Sequence, residues 1–265
     1  MFSIVVCVKA VPDLNVADKI RIDPVTKVLT RHDIPLVINP LDRNALEVAL
    51  QLKESLKAQI TIISMGPLNA GNVVKECLAL GADQGILLSD PAFAGADAFA
   101  TAFTLRKAIS KLDQVDVVLC GRASSDGATE WVGPELATFL GIPAVSMVRE
   151  FVKTEQFTWQ VKSDIEDGIR IVEVMLPALF TVTHDANAPR ALSFSGIIKS
   201  RKKEITIWGL DDIDVTADRV GFKGSPTIIS EMKAVESKRT CEIIEGTVEE
   251  KADLLLDKLI SAGVL

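Results

Sequence analysis

Short, largely apolar runs alternate with longer amphipathic stretches through the first 150 residues, and this alternation constrains the fold most. The runs are IVVCV at 4–8, ITII at 60–63, ILL at 86–88 and VDVVLC at 115–120. Apolar residues at helical spacing occupy the stretches between them. Strands this apolar are buried on both faces, which is typical of a parallel sheet covered by helices on both sides. The sequence therefore predicts an α/β fold with a Rossmann-like parallel sheet.

The second half of the chain has a different pattern. Residues 157–162 and 169–176 alternate apolar and polar side chains around Glu166-Asp167-Gly168, which predicts a β-hairpin with a tight turn. A final helix is predicted to begin after Thr247, which forms a candidate capping box with Glu250.

The pattern also suggests how the chain is divided. Residues 208–241 show little regular pattern, and the predicted helix at 248–260 follows them. Long irregular segments are usually functional, or they contact a partner. We therefore expect a nucleotide-binding α/β domain at 1–207, with a hairpin extension at 151–183, and a C-terminal partner-wrapping arm at 208–265.

Composition and charge exclude several classes of protein. Lys and Arg total 29 against 36 Asp and Glu, a net charge of -7, whereas nucleic-acid binding normally needs a basic surface. No apolar run approaches the roughly 20 residues that span a bilayer, and the N-terminus lacks the basic flank of a signal peptide. We expect a soluble, cytoplasmic protein without membrane insertion. The four cysteines and two histidines form no closely spaced pairs, so no metal site is expected.

The strongest candidate for ligand binding is the segment GRASSDGATE at 121–130, which joins a buried strand to a helix. Ligands of parallel sheets bind at the carboxyl ends of the strands. Glycines in this segment allow close approach of a ligand, and a helix N-terminus favours phosphate. An ordinary strand-to-helix turn with an Asp or Thr cap explains the segment equally well, since it matches neither GxGxxG nor a P-loop.

Two shorter segments accompany this loop. Asn39 precedes Pro40 at a helix start, where its side chain either caps the helix or offers its amide to an adenine or ribose edge. The segment Ser64-Met65-Gly66-Pro67 is a strand end whose backbone is able to read a base, although the segment alone indicates little.

A separate segment is a candidate for partner docking. Phe194 is followed by the basic residues Lys199, Arg201, Lys202 and Lys203. This segment is either a solvated basic face beside a core aromatic or a docking surface with an aromatic anchor and a basic rim, for which Phe194, Lys199 and Lys202 are the candidates. No Ser-His-Asp or Cys-His arrangement is present in the sequence, and adjacent His184 and Asp185 are more typical of local hydrogen bonding. No catalytic residue is predicted.

Together, in this order and at these spacings, the segments resemble the beta subunits of electron-transfer flavoproteins over essentially the whole chain. The matching segments are Val8-Lys9-Ala10-Val11-Pro12-Asp13, Ile38-Asn39-Pro40, Met65-Gly66-Pro67, Ala79-Leu80-Gly81-Ala82-Asp83, Gly121-Arg122 with Asp126-Gly127, Val132-Gly133-Pro134, Leu176-Pro177-Ala178-Leu179, Asn187-Ala188-Pro189-Arg190 and Ile198-Lys199. Each segment is short, but their combination in register is specific.

The resemblance implies an electron-transfer subunit that is active only with a larger, flavin-carrying alpha subunit. The implied cofactor-binding residues are Cys7, Asn39, Pro40, Leu41, Asp42, Met65, Gly121, Arg122, Ala123, Ser124, Ser125, Asp126, Gly127, Ala128, Thr129, Glu130, Trp131 and Val132. In simple carriers the site holds structural AMP. In the electron-bifurcating branch it holds FAD, which exchanges a hydride with NAD(H) and sends one electron to a dehydrogenase and the other to ferredoxin.

The choice of branch depends on the nucleotide loop. Bifurcating members typically show Asp-Gly-Asp-Thr followed by Ala-Gln-Val-Gly-Pro. In this chain Gly127 and Thr129 match that pattern, whereas Ala128, Glu130 and Trp131 depart from it. Glu130 is unfavourable near phosphate unless it points away.

We favour FAD and bifurcation. The alternatives are a non-bifurcating carrier with AMP and a free-standing adenine-nucleotide-binding regulatory domain. Dehydrogenases of the acyl-CoA type and of the 2-hydroxy-acid type are both open as partners.

Overall fold

The computed structural model describes residues 2–13, 15, 21–22, 29–30, 34–154, 157–228 and 241–264. The strands are β1 Ser3–Cys7, β2 Ala10–Pro12, β3 Arg21–Ile22, β4 Leu29–Thr30, β5 Leu36–Ile38, β6 Gln59–Met65, β7 Gln84–Leu88, β8 Val117–Gly121, β9 Ala144–Thr154, β10 Thr158–Ile165, β11 Gly168–Met175, β12 Ala178–Val182 and β13 Ile205–Trp208. The helices are α1 Pro40–Leu56, α2 Gly71–Leu80, α3 Ala98–Ile109, α4 Val132–Leu140, α5 Phe194–Ser200, α6 Gly221–Gly224 and α7 Val248–Ser261.

Nine strands form one sheet in the order β11-β10-β9-β12-β8-β1-β6-β7-β13. Every neighbouring pair from β9 to β13 in that order is parallel. The pairs β9–β10 and β10–β11 are antiparallel and form the hairpin extension. The predicted α/β fold with a parallel sheet and an added hairpin is confirmed.

The central parallel strands β1, β6, β8 and β12 are buried on both faces, as their apolar composition predicts. Ile4 and Val6 of β1 belong to one apolar cluster, which includes residues of α1 and α2. Val5 and Cys7 belong to a second cluster, which includes residues of α3 and α4. Successive strand residues point to opposite faces, so a strand without polar residues can only be stable between two layers of helices.

The strand order creates a topological switch point between β1 and β8. The chain leaves β1 and passes through α1 to β6 on one side of β1. After β7 and α3 it returns to β8 on the other side of β1. In open α/β sheets, the crevice outside the carboxyl ends of two such strands is where ligands bind.

The chain consists of two compact units, residues 1–230 and residues 231–265. Strand β13 pairs with β7, and the short helix α6 lies in the same first unit. The sequence predicts that a partner-wrapping arm begins at residue 208, and this boundary stays a prediction. Residues 229–240 of that arm lie outside the described residues.

The second unit contains helix α7, which begins with the predicted capping box. Thr247 Oγ1 accepts a hydrogen bond from Glu250 N at 3.3 Å, and Glu250 Oε2 accepts one from Thr247 N at 2.8 Å. None of the helices in the described ranges is both long and apolar enough to cross a membrane.

Candidate nucleotide-binding site

One buried carboxylate joins helix α1 to the ends of both strands at the switch point. Asp42, in the first turn of α1, accepts hydrogen bonds from Lys9 N at 2.7 Å and from Gly121 N at 2.8 Å. Burial raises the pKa of Asp42 to about 6, although these two backbone hydrogen bonds act in the opposite direction. Both carboxylate oxygens are therefore used to fix the crevice walls.

Asn39 fixes the loop that follows β8. Its side chain is buried, and its Nδ2 donates to Ala123 O at 2.8 Å while its Oδ1 accepts from Ser125 N at 3.0 Å. The capping interpretation of Asn39 is wrong, because its side chain makes no cap hydrogen bond at the start of α1. The side-chain amide instead forms hydrogen bonds with the loop after β8, and its contact with an adenine or ribose stays a prediction.

Gly121 is required by the close approach of α1. A Cβ at this position would lie 2.6 Å from Leu41 C, 2.6 Å from Asp42 Oδ1 and 2.7 Å from Asp42 N. The absence of a side chain therefore lets β8 and the first turn of α1 meet at hydrogen-bonding distance.

The loop after β8 presents backbone donors. Ala128 and Glu130 adopt φ values of 47° and 62°, in the left-handed region that costs a non-glycine residue roughly 1 kcal/mol or more. Such turns direct successive N–H groups into a concave, anion-binding surface.

Three backbone donors of this loop are unbonded. In the part of the chain that the structure describes, no hydrogen bond engages the N–H of Gly127, Thr129 or Glu130. Helix α4 begins just beyond, at Val132. These donors and this helix start fit the phosphate groups of a nucleotide.

Each acidic residue of the loop lies beside a cation. Lys9 Nζ lies 2.6 Å from Asp126 Oδ1, and Arg122 Nε lies 3.2 Å from Glu130 Oε1. Burial raises the pKa of Asp126, but the hydrogen bond and charge of Lys9 outweigh this effect and keep the pKa below its usual value. Glu130 therefore points toward Arg122, and the positive charge of Arg122 offsets the negative charge of Glu130 near the candidate phosphate site.

Two buried polar atoms at this edge of the sheet have no hydrogen-bond partner among the described residues. They are Ser64 Oγ, next to Met65 at the end of β6, and Arg122 Nε, whose contact with Glu130 lacks hydrogen-bonding geometry. A ligand in the crevice would offer such atoms a partner. The sequence placed Ser64 and Lys9 within candidate segments but gave neither side chain a binding role, because a serine within a strand and a lysine after one are ordinary in any protein.

Cys7 lies at the end of β1, within the buried core. Burial raises the pKa of its thiol to about 12, and the nearby charge of Asp42 acts in the same direction. The thiol is therefore neutral near pH 7, and its contact with a nucleotide stays a prediction.

Phe194, Lys199 and Lys202 occupy a different surface from the nucleotide loop. Phe194 and Lys199 belong to α5, Lys202 follows it, and α5 packs against α2. Phe194 is 80% exposed, so it is not a core aromatic. His184 Nε2 lies 3.1 Å from exposed Asp185 Oδ1 without hydrogen-bonding geometry, so the local hydrogen-bonding interpretation stays a prediction. The described residues contain no group of three or more His, Cys, Asp or Glu that could hold a metal ion.

A Gly127→Asp variant is expected to bind a nucleotide about tenfold more weakly. A Cβ at Gly127 would lie 3.4 Å from Ser124 Oγ and 3.9 Å from Lys9 Nζ, so the chain itself accepts a side chain there. The expected loss comes from a carboxylate placed beside phosphate oxygens. The measurement is the dissociation constant of FAD or AMP.

Gly127→Asn is the matched control, because it has the size of Asp without the charge. Equal nucleotide affinity of Gly127→Asp and wild type would show that this loop does not face the phosphates. A loss in both variants would attribute the effect to size alone.

Comparison with known proteins gives a consistent match. Residues 26–213 match the electron transfer flavoprotein domain family. The chain is 44% identical over 264 residues to the electron transfer flavoprotein subunit beta of Thermoanaerobacterium thermosaccharolyticum, covering 99% of this chain and 100% of that protein. It is 45% identical over 257 residues to the protein of the same name from Clostridium acetobutylicum, covering 97% of each. It is 41% identical over 258 residues to the caffeyl-CoA reductase-Etf complex subunit CarD of Acetobacterium woodii, also covering 97% of each.

Proposed function

This chain belongs to the electron transfer flavoprotein beta subunits, and we propose that it binds FAD in the switch-point crevice and serves flavin-based electron bifurcation. In that role it takes part in electron transfer between NAD(H), a flavoprotein dehydrogenase and ferredoxin. The non-bifurcating alternative is an electron carrier with AMP in the same crevice.

The observation that carries the proposal is the preassembled loop at 121–131. Its free backbone donors at Gly127 and Thr129 precede the start of α4, where an anion is favoured by the helix dipole. Asn39 and Asp42 hold this loop and the two strand ends without help from a ligand. The site therefore requires little rearrangement to accept phosphate groups, which favours affinity.

Glycine at position 127 supports a dinucleotide over AMP. Nothing within 3.4 Å in the chain's own packing requires a glycine there, unlike at Gly121. The absence of a side chain at Gly127 leaves the loop donors accessible to a second phosphate group. The carboxyl ends of β8, β1 and β6 are also adjacent, so the crevice continues toward Met65 across about 10 Å of sheet.

The flavin would supply the one- and two-electron chemistry, which no side chain of this chain supplies. The chain's own residues then bind and orient it. Loop amides and the hydroxyls of Ser124, Ser125 and Thr129 would hold its phosphates, and Cys7 and Met65 would form the apolar part of the wall.

An alpha subunit that completes the electron-transfer unit is the proposed partner. The relative from Acetobacterium woodii is named as a subunit of a caffeyl-CoA reductase-Etf complex, which favours an acyl-CoA type of dehydrogenase over a 2-hydroxy-acid type for this chain.

The test is the nucleotide content of the purified alpha–beta complex, followed by anaerobic addition of NADH. The proposal expects two FAD per heterodimer and rapid reduction of flavin by NADH. One FAD per heterodimer, with AMP released on denaturation and no reduction by NADH, would overturn it and leave the non-bifurcating carrier. The Gly127→Asp complex is a useful reference, because its beta-subunit nucleotide should be depleted selectively.

The exposed surface at α5, formed by Phe194 and Lys199 of that helix and by Lys202 just after it, is the proposed docking site for the dehydrogenase. A large apolar residue that is 80% exposed and followed by basic side chains has the form of an interface anchor with a charged rim. The lysines would orient an acidic partner surface during encounter.

A Phe194→Ala variant is expected to slow electron transfer between the complex and its dehydrogenase while retaining bound nucleotide. An aromatic anchor at the centre of an interface typically contributes about 2 kcal/mol, which corresponds to roughly thirtyfold in affinity. The measurement is the dependence of the electron-transfer rate on the concentration of the complex. Phe157→Ala, which removes another exposed ring from the hairpin surface, is the control. Equal rates for wild type and Phe194→Ala would exclude α5 as the docking site.

A further inference from the structure

Arg190 lies on the irregular segment between β12 and α5, and it makes a forked contact with α1. Its Nε donates to Glu47 Oε2 at 2.8 Å, and its Nη2 donates to Glu47 Oε1 at 3.0 Å. Its Nη1 donates to Glu54 Oε1 at 2.8 Å. Two parallel charge-assisted hydrogen bonds fix the orientation of the arginine as well as its position.

Glu47 is buried, with 5% exposure, which distinguishes this pair from a solvated surface ion pair. Burial raises the pKa of Glu47, but the hydrogen bonds and charge of Arg190 outweigh this effect and hold the pKa below its usual value. A buried carboxylate without its arginine would be costly, so the fork is strongly favoured.

A second contact fastens the same segment to the same face of α1. Asn44 Nδ2 donates to Asn187 O at 2.9 Å, and Asn187 Nδ2 donates to Asn44 O at 3.1 Å. Asn44 and Glu47 are three residues apart on the helix and thus neighbours on one face. Neither residue holds the nucleotide loop, which is fixed by the start of α1 through Asn39 and Asp42.

Helix α5 is also held by α2 and by the turn that follows α5. A Cβ at Gly196 would lie 2.2 Å from Ala79 O, so α5 packs directly on the backbone of the last turn of α2. Beyond α5, Lys203 Nζ donates to Ala82 O. The chain is thus held before, within and after α5, although Phe194 on the same helix is largely exposed.

We infer that Arg190 is a positioning residue for partner docking. Through Glu47 it fixes the segment that carries Phe194, so the aromatic anchor is held in place before the dehydrogenase arrives. The inference rests on the proposed docking function of α5. A preorganised anchor binds more tightly because less conformational freedom is lost on association. Loosening it therefore weakens docking and leaves the bound nucleotide and the rate within the docked complex unchanged.

The test uses the nucleotide-loaded alpha–beta complex and an acyl-CoA dehydrogenase with its acyl-CoA as electron donor. Arg190→Lys keeps the charge but cannot form the fork. Arg170→Lys is the matched control, because Arg170 is exposed on β11 and makes no ion pair with any described residue. We expect the KM of the dehydrogenase for the Arg190→Lys complex to rise on the order of tenfold, with kcat and nucleotide content unchanged. The Arg170→Lys complex should match wild type.

Gly196→Ala provides a second variant in case Arg190→Lys folds poorly. The new methyl group must displace α5 from Ala79 by an independent route, so it should also raise KM without changing kcat. In the Arg190→Lys complex, hydrogen exchange of the amides at 194–200 should be faster than in wild type.

The outcomes separate this inference from the docking proposal. If Phe194→Ala raises KM but Arg190→Lys and Gly196→Ala do not, the positioning role is overturned and docking through α5 stands. If none of the three raises KM, docking through α5 itself fails. Loss of nucleotide or of kcat in Arg190→Lys at unchanged KM would show a purely structural role and overturn the inference.

Discussion

A Gly121→Ala variant is expected to purify with almost no nucleotide and to unfold at a clearly lower temperature than wild type. The added methyl group would lie 2.6 Å from Leu41 C and from Asp42 Oδ1. Leu41 C is backbone and Asp42 is held by two hydrogen bonds, so the first turn of α1 must move away from β8. Overpacking of this kind typically costs about 1–3 kcal/mol, and the displaced loop should lose nucleotide affinity by roughly a hundredfold or more.

Thermal unfolding and nucleotide content of the alpha–beta complex measure this effect. Gly127→Ala is the control for stability, because a Cβ at Gly127 would come no closer than 3.4 Å to its nearest neighbour, Ser124 Oγ. A Gly121→Ala complex with the stability and nucleotide content of wild type would show that β8 and α1 do not need their close contact to build the site.

An Asn39→Asp variant is expected to lose nucleotide affinity by about a hundredfold. The new carboxylate oxygen would replace Nδ2, which now donates to Ala123 O at 2.8 Å, and two acceptors would face each other. It would also place a second buried carboxylate beside Asp42. Breaking a buried hydrogen bond and adding an unpaired charge should together cost about 3 kcal/mol or more.

The measurement is nucleotide affinity at pH 8, where a new carboxylate of ordinary pKa is ionised. Asn72→Asp is the matched control, since Asn72 lies exposed on α2. Unchanged affinity in Asn39→Asp would mean that the loop is held by other contacts and that the clamp formed by Asn39 is dispensable.

Much of the fold follows from local pattern. The apolar runs that predict strands at 4–8, 60–63 and 86–88 correspond to β1, β6 and β7, and the turn at 166–168 joins the predicted hairpin strands β10 and β11. These agreements arise because the period of burial along a strand or helix is set by neighbours a few residues away. The capping box at Thr247 was predicted for the same reason.

Strand β13 was not predicted. Its residues Ile205–Trp208 are too few to distinguish a strand from a loop by alternation, and they form β13 only because the exposed edge of β7 accepts them in parallel register. Pairing with a distant strand is a tertiary event, and a four-residue pattern carries no information about it.

One of the alternative functions is excluded by the comparisons with known proteins. Membership of the electron transfer flavoprotein family excludes the free-standing regulatory domain. The identity of the bound nucleotide, FAD or AMP, depends on how a ligand fits beside Gly127. The choice between bifurcation and simple electron transfer depends on the same fit. The nucleotide analysis proposed above decides both.

The sequence by itself determined most of the strands and helices of the central sheet and of the hairpin, and it marked 121–130 as the loop most suited to phosphate. Only the tertiary structure decided that Asn39 holds this loop, since the residues joined by its hydrogen bond to Ala123 lie 84 positions apart. It likewise decided that Asp42 joins Lys9 to Gly121. These contacts exist because the strand order places β8 directly beside β1, and α1 starts above both. Periodicity can show that each strand is buried, but the identity of its neighbours depends on how the whole sheet assembles.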